Sequence, residues 1–278
     1  MRFSVLMSVY KNERVDYFRA AVDSVLGQTL LPDEIILVRD GPVSDEMQAA
    51  IDDYVQKNKL FHYIPLEQNG GLGNALNIGL QAAQNEIVAR MDTDDICVED
   101  RFERQMRYFE AHPDVAVCGG QILEFIDSPE EPVCKREVPT THEAIRCFMC
   151  TRNSFNHMTV MFRKSAVMAA GNYIDLYFME DYYLWCRMLL QGAVFGNMED
   201  VLVYARIGKD MFRRRGGYKY FKSWLTLEKF KLRHHMTGRM RYIRTVTMRF
   251  VVHVLLPNRV RGWVLKTFSR RQTVNCKP

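Results

Sequence analysis

Three carboxylates fall within four residues in the segment IVARMDTDD, residues 87–95. Asp92, Asp94 and Asp95 follow an apolar run, and burying like charges together without a counter-charge is costly. Mg2+ and Mn2+ prefer oxygen ligands, and Mg2+ is typically held by carboxylates together with substrate phosphates and water. The segment therefore suits a metal that arrives with a phosphorylated substrate. An acidic turn that caps a helix beginning near Glu99 accounts for the same pattern.

A second acidic pair, Glu180 and Asp181, lies in the segment MEDYYLW. The pair opens a predicted helix, where negative charge is favoured by the helix dipole. The same carboxylates could instead provide a general base at the edge of a site. The pair alone does not decide between these two interpretations.

A glycine-rich turn, in QNGGLGNALNIGL, lies between a predicted strand and a predicted helix. Backbone N–H groups at Gly70, Gly71 and Gly73 could face an anion there. The spacing matches neither the dinucleotide-binding fingerprint nor the phosphate-binding P-loop. A plain turn into an amphipathic helix explains these glycines as well.

Strands and helices alternate over the first part of the chain, which predicts a parallel sheet covered by helices on both faces. The predicted strands are RFSVLMSV, DEIILVRD, LFHYIPLE and NEIVARM, each followed by a predicted helix. Ligands of such sheets bind beyond the carboxyl ends of the strands. Tyr10 and Glu13 follow the first strand, Asp40 the second and Asp92 the fourth. One edge of the sheet is therefore expected to collect polar side chains.

The alternation weakens beyond about residue 115. The segment VAVCGGQILEFI predicts two strands bent at Gly119 and Gly120, and residues 127–141 predict a polar loop. A strand and a short helix are expected in NHMTVMFRKSAVMAAG, a helix in EDYYLWCRMLLQG, and strands in AVFGNM and VLVYARI. Beyond residue 210 the chain is predicted to be helical and basic.

Charge is divided unevenly along the 278 residues, whose net charge is +5. Residues 1–202 carry −13, and residues 203–278 carry +18. An acidic body with a basic tail indicates that the tail meets an anionic surface or a phosphorylated substrate. No nucleic-acid-binding module is recognisable, so nucleic acid is not expected as a partner.

The cysteines number seven, an odd count, and lack the spacing of a small disulfide-rich domain, which indicates a reducing compartment rather than a disulfide framework. Cys147 and Cys150 form a lone C-x-x-C pair, for which buried helix cysteines are the simplest explanation. Neither a signal peptide nor an apolar run of the roughly 20 residues that span a membrane is apparent. A cytoplasmic location is therefore predicted.

Six segments resemble family 2 glycosyltransferases of the GT-A fold in their order and rough spacing: SVLMSVYKNE, VDSVLGQTLLPDEIILVRDG, NGGLGNALNIGL, ARMDTDD, HMTVMFRKSAV with GNY, and MEDYYLWCRM. The resemblance covers about residues 1–206 and implies an α/β fold with a Rossmann-like, mostly parallel central sheet flanked by helices. It implies a nucleotide-sugar half over about residues 1–115 and an acceptor half over about 116–206. Residues 207–278 would form a basic helical extension.

The resemblance implies an inverting transfer of one sugar from a nucleotide-diphospho-sugar to a saccharide acceptor. Asp181 would take the proton from the acceptor hydroxyl, with Glu180 beside it. His157 and Trp185 would lie on the acceptor side. The donor implied is a UDP-hexose or a UDP-N-acetylhexosamine.

The resemblance also implies a divalent metal, Mn2+ or Mg2+, held by Asp94 and Asp92. This metal would neutralise the departing diphosphate. The donor-binding residues implied are Val9, Tyr10, Glu13, Asp40, Gly71, Asn77, Asp92, Thr93 and Asp94.

Two departures from the family pattern bear on the substrate. Arg39 precedes Asp40 where many members have two acids, so only Asp40 is carried over to the contact with the base. The Gln-x-x-Arg-Trp motif of processive polysaccharide synthases is absent, which favours transfer of a single sugar. The segments FRRRGGYKYFKSW and LLPNRVRGWVLK resemble bacterial members that build capsule, exopolysaccharide or O-antigen, whose acceptors imply a lipid-diphosphate-linked saccharide.

The basic C-terminal region predicts an amphipathic helix that docks on the anionic inner face of the plasma membrane. The alternative is a helix packed on the catalytic domain with a solvated basic face. The segment FRRRGG, residues 212–217, could clamp a diphosphate, since Arg suits phosphate. The apolar positions at helical spacing are 240, 243, 250, 251, 254 and 255, and the arginines among them are Arg239, Arg241, Arg244 and Arg249.

Three other functions fit less of the sequence. A sugar nucleotidyltransferase is expected to carry a glycine-rich, arginine-containing loop after the first strand, where this chain has SVYKNERVDY. A phosphatase with an Asp-x-Asp nucleophile would place that motif after the first strand, some 80 residues earlier than here. A non-catalytic binding module of the same fold would have no use for the clustered acids.

Overall fold

The computed structural model describes residues 1–208 and 216–256, and the fold is that of these residues. The strands are β1 (Phe3–Tyr10), β2 (Glu34–Asp40), β3 (Phe61–Pro65), β4 (Ile87–Asp92), β5 (Ile96–Cys97), β6 (Val115–Phe125), β7 (Cys134–Arg136), β8 (Met161–Arg163) and β9 (Val194–Arg206). The helices are α1 (Val15–Leu26), α2 (Asp45–Lys57), α3 (Leu72–Ala82), α4 (Arg101–Ala111), α5 (His142–Met149), α6 (Lys164–Ala169), α7 (Glu180–Leu190), α8 (Tyr218–Arg233) and α9 (Arg239–Phe250). A 3-10 turn covers His157–Thr159, and a π-helical turn covers Val251–Leu255.

The first four strands form the predicted parallel sheet in the order β3-β2-β1-β4. Strands β1, β2 and β4 are almost entirely buried because helices cover both faces of the sheet. The register places Tyr10 opposite Asp40 and Ser8 opposite Asp92. The carboxyl ends of β1, β2 and β4 therefore share one edge, as the sequence predicts.

The sheet becomes mixed beyond β4. Strand β8 runs antiparallel to both β4 and β6, whereas β9 runs parallel to β6 and antiparallel to β5. The predicted pair of strands around Gly119 and Gly120 is wrong, because β6 is one strand whose register against β9 shifts there. The predicted loop 127–141 also contains the short strand β7, which pairs with β6.

Two hydrophobic cores lie on opposite faces of the sheet. One packs helices α1, α2 and α4 against it, and the other packs α3, α5, α6 and α7. Helix α8 joins the second core through Tyr220, Trp224 and Leu227. The first C-terminal helix is therefore part of the same packed body as the sheet, because its apolar face is buried against α7.

Helix α9 differs from the others in that none of its residues is fully buried. Residues 209–215 and 257–278 lie outside the described part of the chain, and with them most of FRRRGG and of LLPNRVRGWVLK. No helix among the described residues has the length and apolar character needed to cross a bilayer. Cys147 is exposed and Cys150 half-buried at the end of α5, so the expected buried pair is wrong.

Candidate active site

The three carboxylates of IVARMDTDD converge where β4 ends. One oxygen each of Asp92, Asp94 and Asp95 lies within 4.8 Å of the other two. Asp95 is buried; its Oδ1 accepts the Arg206 backbone N–H at 2.7 Å, and its Oδ2 has no hydrogen-bond partner among residues 1–208 and 216–256. Burial, followed by repulsion from Asp94 and Asp92, raises the pKa of Asp95 well above its ordinary value. The cluster consists only of carboxylates, which are oxygen ligands of the kind that Mg2+ and Mn2+ prefer, and the unbonded oxygen of Asp95 fits such a ligand.

A fourth carboxylate, Glu13, faces the same cluster from the end of β1. The Thr93 hydroxyl donates to the Ser8 carbonyl oxygen at 3.0 Å and lies 3.3 Å from Glu13 Oε2. Burial raises the pKa of Glu13 to about 7, with Asp94 and Asp92 adding to the rise. A bound cation would therefore favour the ionised form of Glu13 as well.

Asp40 is held by the glycine turn, and its predicted contact with base and ribose stays a prediction. Its carboxylate accepts the N–H of Gly70 at 2.7 Å, the N–H of Gly71 at 3.0 Å and the Asn69 amide at 2.9 Å. Both oxygens are thus engaged, and the residue is 3% exposed. The anion that the N–H groups of the glycine turn bind is the carboxylate of Asp40 in the same chain. Asp40 therefore holds the conformation of this turn.

The glycines of this turn allow another segment to approach closely. Gly71 has a positive φ of 88°, and a Cβ on Gly73 would lie 3.0 Å from the Cα of Asp175. On α3, the Asn77 amide donates to the Tyr173 carbonyl oxygen at 2.7 Å. Asn77 therefore ties α3 to the segment before α7, and its predicted contact with the sugar donor stays a prediction.

Val9 and Tyr10 end strand β1 beside Asp40. The Val9 side chain is fully buried in the core, so only its main chain can contact a donor. Tyr10 is half-buried at the edge where the strands end. The predicted donor contacts of both residues remain predictions.

Helix α7 begins at Glu180 and places Asp181 in its first turn. Asp181 Oδ2 accepts the Asn153 amide at 2.6 Å, and Oδ1 accepts the Tyr182 N–H at 2.6 Å. Burial raises the pKa of Asp181, and the same effect together with the Asp181 charge raises the pKa of Glu180 to about 8. Burial and the neighbouring Asp181 charge therefore favour the protonated form of Glu180, whereas the hydrogen bonds from Asn153 and the Tyr182 N–H favour the anionic form of Asp181.

Arg90, which the sequence analysis did not single out, connects the two acidic groups. It is buried in β4, and its Nη2 donates to Asp92 Oδ1. Its Nε and Nη1 have no hydrogen-bond partner within the described part of the chain. Its charge also lowers the pKa values of Glu180 and Asp181. The signal in the sequence that could have identified Arg90 is its charge within the otherwise apolar interior of the predicted strand.

His157 and Trp185 lie beneath the acidic pair. His157 Nε2 is 3.0 Å from the Tyr173 hydroxyl, and burial together with Arg90 lowers the pKa of His157 well below its usual value. Trp185 is completely buried, with its ring 6.2 Å from that of His157. The Trp185 side chain therefore packs in the core, and the predicted place of His157 and Trp185 on the acceptor side stays a prediction.

Comparison with known sequences gives the site a family context. The family model for "Glycosyl transferase family 2" matches residues 4–171. An uncharacterized glycosyltransferase of Haemophilus influenzae is 42% identical over 98% of this chain and 100% of its own length. The amylovoran biosynthesis glycosyltransferase AmsE of Erwinia amylovora is 42% identical over 91% of this chain and 96% of its own. The UDP-Gal:alpha-D-GlcNAc-diphosphoundecaprenol beta-1,3-galactosyltransferase of Escherichia coli is 33% identical over 97% of both chains.

Solved structures share the fold at low identity. S. aureus TarS in complex with UDP-GlcNAc superposes with a TM-score of 0.68 at 18% identity, over 98% of this chain and 78% of that one. The mannosyltransferase PcManGT from Pyrobaculum calidifontis, in complex with GDP-Man and Mn2+, has a TM-score of 0.63 at 15% identity, over 98% and 76%. The fold is thus of the GT-A type that the resemblance implies. Together with the family match over more than half of its length, these findings show that the chain belongs to glycosyl transferase family 2.

Proposed function

We propose that this family 2 glycosyltransferase transfers one sugar from a UDP-sugar to a lipid-linked saccharide in bacterial surface polysaccharide synthesis. The observation that carries the proposal is the arrangement of two acidic groups around buried Arg90. The cluster of Asp92, Asp94 and Asp95 suits a metal-bound diphosphate. Asp181 suits a general base.

The donor binds along the edge where β1, β2 and β4 end. Asp94 and Asp92 would hold Mn2+ or Mg2+, and Tyr10 and Glu13 would flank the nucleoside. When bound, the metal supplies positive charge that stabilises the diphosphate as it leaves. A UDP donor is supported by the E. coli relative, whose name specifies UDP-Gal, and by the TarS complex with UDP-GlcNAc.

The acceptor hydroxyl is activated by Asp181, which takes its proton. The acceptor oxygen forms a bond to the anomeric carbon while the bond from that carbon to the diphosphate breaks, and UDP leaves with the electron pair. Attack opposite the leaving group inverts the configuration, so an α-linked donor yields a β-glycoside. Asn153 and Arg90 favour the anionic form of Asp181 that this step requires.

The acceptor that we propose is a saccharide linked to a lipid diphosphate, which is supported by the E. coli relative, whose name specifies such an acceptor. Helix α9 supports a peripheral membrane association that would bring the enzyme to such an acceptor. Its apolar side chains are unusually exposed, with Met240 82%, Ile243 58% and Met248 53% accessible. Arg239, Arg241 and Arg244 lie beside them, a combination that binds anionic lipid surfaces.

A thermal-shift panel tests the donor site, since a ligand that binds the folded state raises apparent stability. UDP-, GDP- and dTDP-sugars are compared with and without Mn2+. We expect a Mn2+-dependent rise with UDP-sugars that disappears in Asp94→Asn. No rise with any nucleotide sugar would contradict the proposed donor site.

A transfer assay with a synthetic GlcNAc-diphospholipid tests the reaction itself. We expect the sugar to be transferred once to the acceptor, with loss of activity in Asp181→Asn. Donor binding without transfer would favour a non-catalytic binding module. Formation of UDP-sugar from UTP and a sugar 1-phosphate would instead indicate a nucleotidyltransferase.

A further inference from the structure

A buried ion pair on helix α8 lies directly behind the helix that carries Asp181. Lys231 Nζ is 2.7 Å from Glu228 Oε1, and these side chains are 0% and 1% exposed. Lys231 Nζ also donates to the Tyr182 hydroxyl at 3.2 Å. Tyr182 immediately follows Asp181 in α7.

The Tyr182 hydroxyl in turn donates to the carbonyl oxygen of Met149 at the end of α5. A lysine ammonium can only donate, so the Tyr182 oxygen accepts from Lys231 and its own proton points at Met149. Burial raises the pKa of Tyr182 well above its ordinary value, which keeps that proton in place. The direction of the whole chain of hydrogen bonds is therefore fixed by Lys231.

The end of α5 leads within four residues to Asn153, whose amide binds Asp181 Oδ2. The start of α7 and the turn 150–153 are thus joined at two points, Asn153 to Asp181 and Tyr182 to Met149. Loosening the second contact would displace the amide that orients Asp181. A shift of about 1 Å in a catalytic group can cost a large factor in rate.

Stability alone is a weak explanation for this cluster. Replacing a buried ion pair with apolar side chains of similar volume is often neutral or stabilising. Ring contacts extend the cluster toward α9, since the Trp224 ring lies 6.2 Å from that of Tyr182 and the Arg249 guanidinium 3.6 Å from that of Trp224. The ion pair lies between the core of the sheet and the C-terminal helices. It is therefore suited to fixing the positions of the side chains that it contacts.

From these contacts we propose that Lys231, held by Glu228, is a positioning residue for the sugar-transfer reaction that sets the geometry of Asp181 through Tyr182, Met149 and Asn153. The C-terminal helix α8 is thereby part of the catalytic apparatus of the full chain. The proposal rests on the proposed function, because it takes Asp181 to be the general base.

The test compares single and double substitutions in the full-length protein, with steady-state kinetics and Tm measured for each. Lys231→Met alone leaves Glu228 buried without its partner, so we expect Tm and kcat both to fall. Glu228→Leu combined with Lys231→Met removes both charges. We expect the double variant to recover Tm while its kcat stays about tenfold or more below wild type at a donor KM within twofold.

Tyr182→Phe keeps the ring and removes only the hydroxyl, so we expect a similar fall in kcat at a similar KM. Lys229→Met is the matched control, because Lys229 is exposed on the same helix and should leave kcat and Tm unchanged. Wild-type kcat in Tyr182→Phe, or recovery of both kcat and Tm in the double variant, would overturn the positioning role. Asp181→Asn is measured in parallel: undiminished transfer in that variant would reject the proposed function itself.

Discussion

Removal of the Asn153 amide offers a quantitative test of how Asp181 is kept anionic. The bond from Asn153 Nδ2 to Asp181 Oδ2 is 2.6 Å long and serves a carboxylate in a buried position. A hydrogen bond to a charged group contributes about 1.5–3 kcal/mol, and about 1.36 kcal/mol corresponds to one pKa unit. In Asn153→Ala the pKa of Asp181, already raised by burial, should therefore rise further by about one to two units.

The sign of the effect on activity follows from the role of Asp181. A general base acts when ionised, so activity falls as the pH drops through its pKa. On the acidic side of the profile Asn153→Ala should reduce kcat/KM about 10- to 100-fold. At a pH well above the raised pKa both proteins are ionised, so the pH-dependent part of the difference should disappear and only the loss from the altered orientation of Asp181 should remain.

The assay is a pH profile of kcat/KM for sugar transfer, from about pH 5.5 to 9.5. Arg90, Arg136, Glu180 and the Tyr182 N–H also face Asp181 and are unchanged in the variant. Thr151→Ala in the same turn is the control, since its hydroxyl bonds only to the Phe148 carbonyl oxygen among described residues. A loss of activity that is the same at every pH would refute the electrostatic reasoning.

Three further predictions follow from the site and from the surface of α9. Asp94→Asn should abolish the Mn2+-dependent part of the donor's thermal shift, because one of three clustered carboxylates is lost; an unchanged shift would place the metal elsewhere. Glu180→Gln should flatten the decline of Tm between about pH 5 and 8, because the pKa of about 8 in the folded protein exceeds the unfolded value and stability is lost as pH rises through that window. Parallel slopes for the two proteins would contradict that linkage. Changing Met240 and Ile243 to Asp should weaken sedimentation with anionic vesicles and alter stability by no more than about 0.5 kcal/mol per site; undiminished sedimentation would argue against membrane docking through α9.

The sheet and its polar edge could be predicted from the sequence because buried parallel strands have a strong apolar signature. The chain fixes which residues follow each strand, so the convergence of Tyr10, Asp40 and Asp92 on one edge follows from topology alone. What a side chain binds at that edge does not follow. Asp40 lies at the end of the expected strand, but both of its carboxylate oxygens accept hydrogen bonds from Gly70, Gly71 and Asn69.

The less regular half of the fold was harder to predict. Strand β7 lies in a polar stretch with prolines nearby, and its pairing with β6 is a tertiary effect that local composition does not carry. The role of Arg90 was missed because a single charged residue in an apolar strand does not by itself indicate which carboxylates it faces. Asn153 was missed because it lies in an irregular turn, 28 residues from the carboxylate it binds.

The C-terminal region shows why charge patterns alone leave alternatives open. Its sequence fits both a membrane-docking helix and a helix packed on the body of the protein. Arg249 packs on Trp224, whereas Met240 and Ile243 on the same helix are exposed. One face of α9 therefore packs on the body of the protein, and the other face is exposed and could bind a membrane surface.

The measurement that tests the account most directly is sugar transfer from a UDP-sugar to a GlcNAc-diphospholipid, with the anomeric configuration of the product determined by NMR. The wild-type protein is compared with Asp181→Asn, with Mn2+ and with EDTA. We expect a β-linked product that requires the metal, and a rate about 10²- to 10⁴-fold lower in Asp181→Asn with donor binding retained. An α-linked product, or an undiminished rate in that variant, would contradict the proposed inverting transfer.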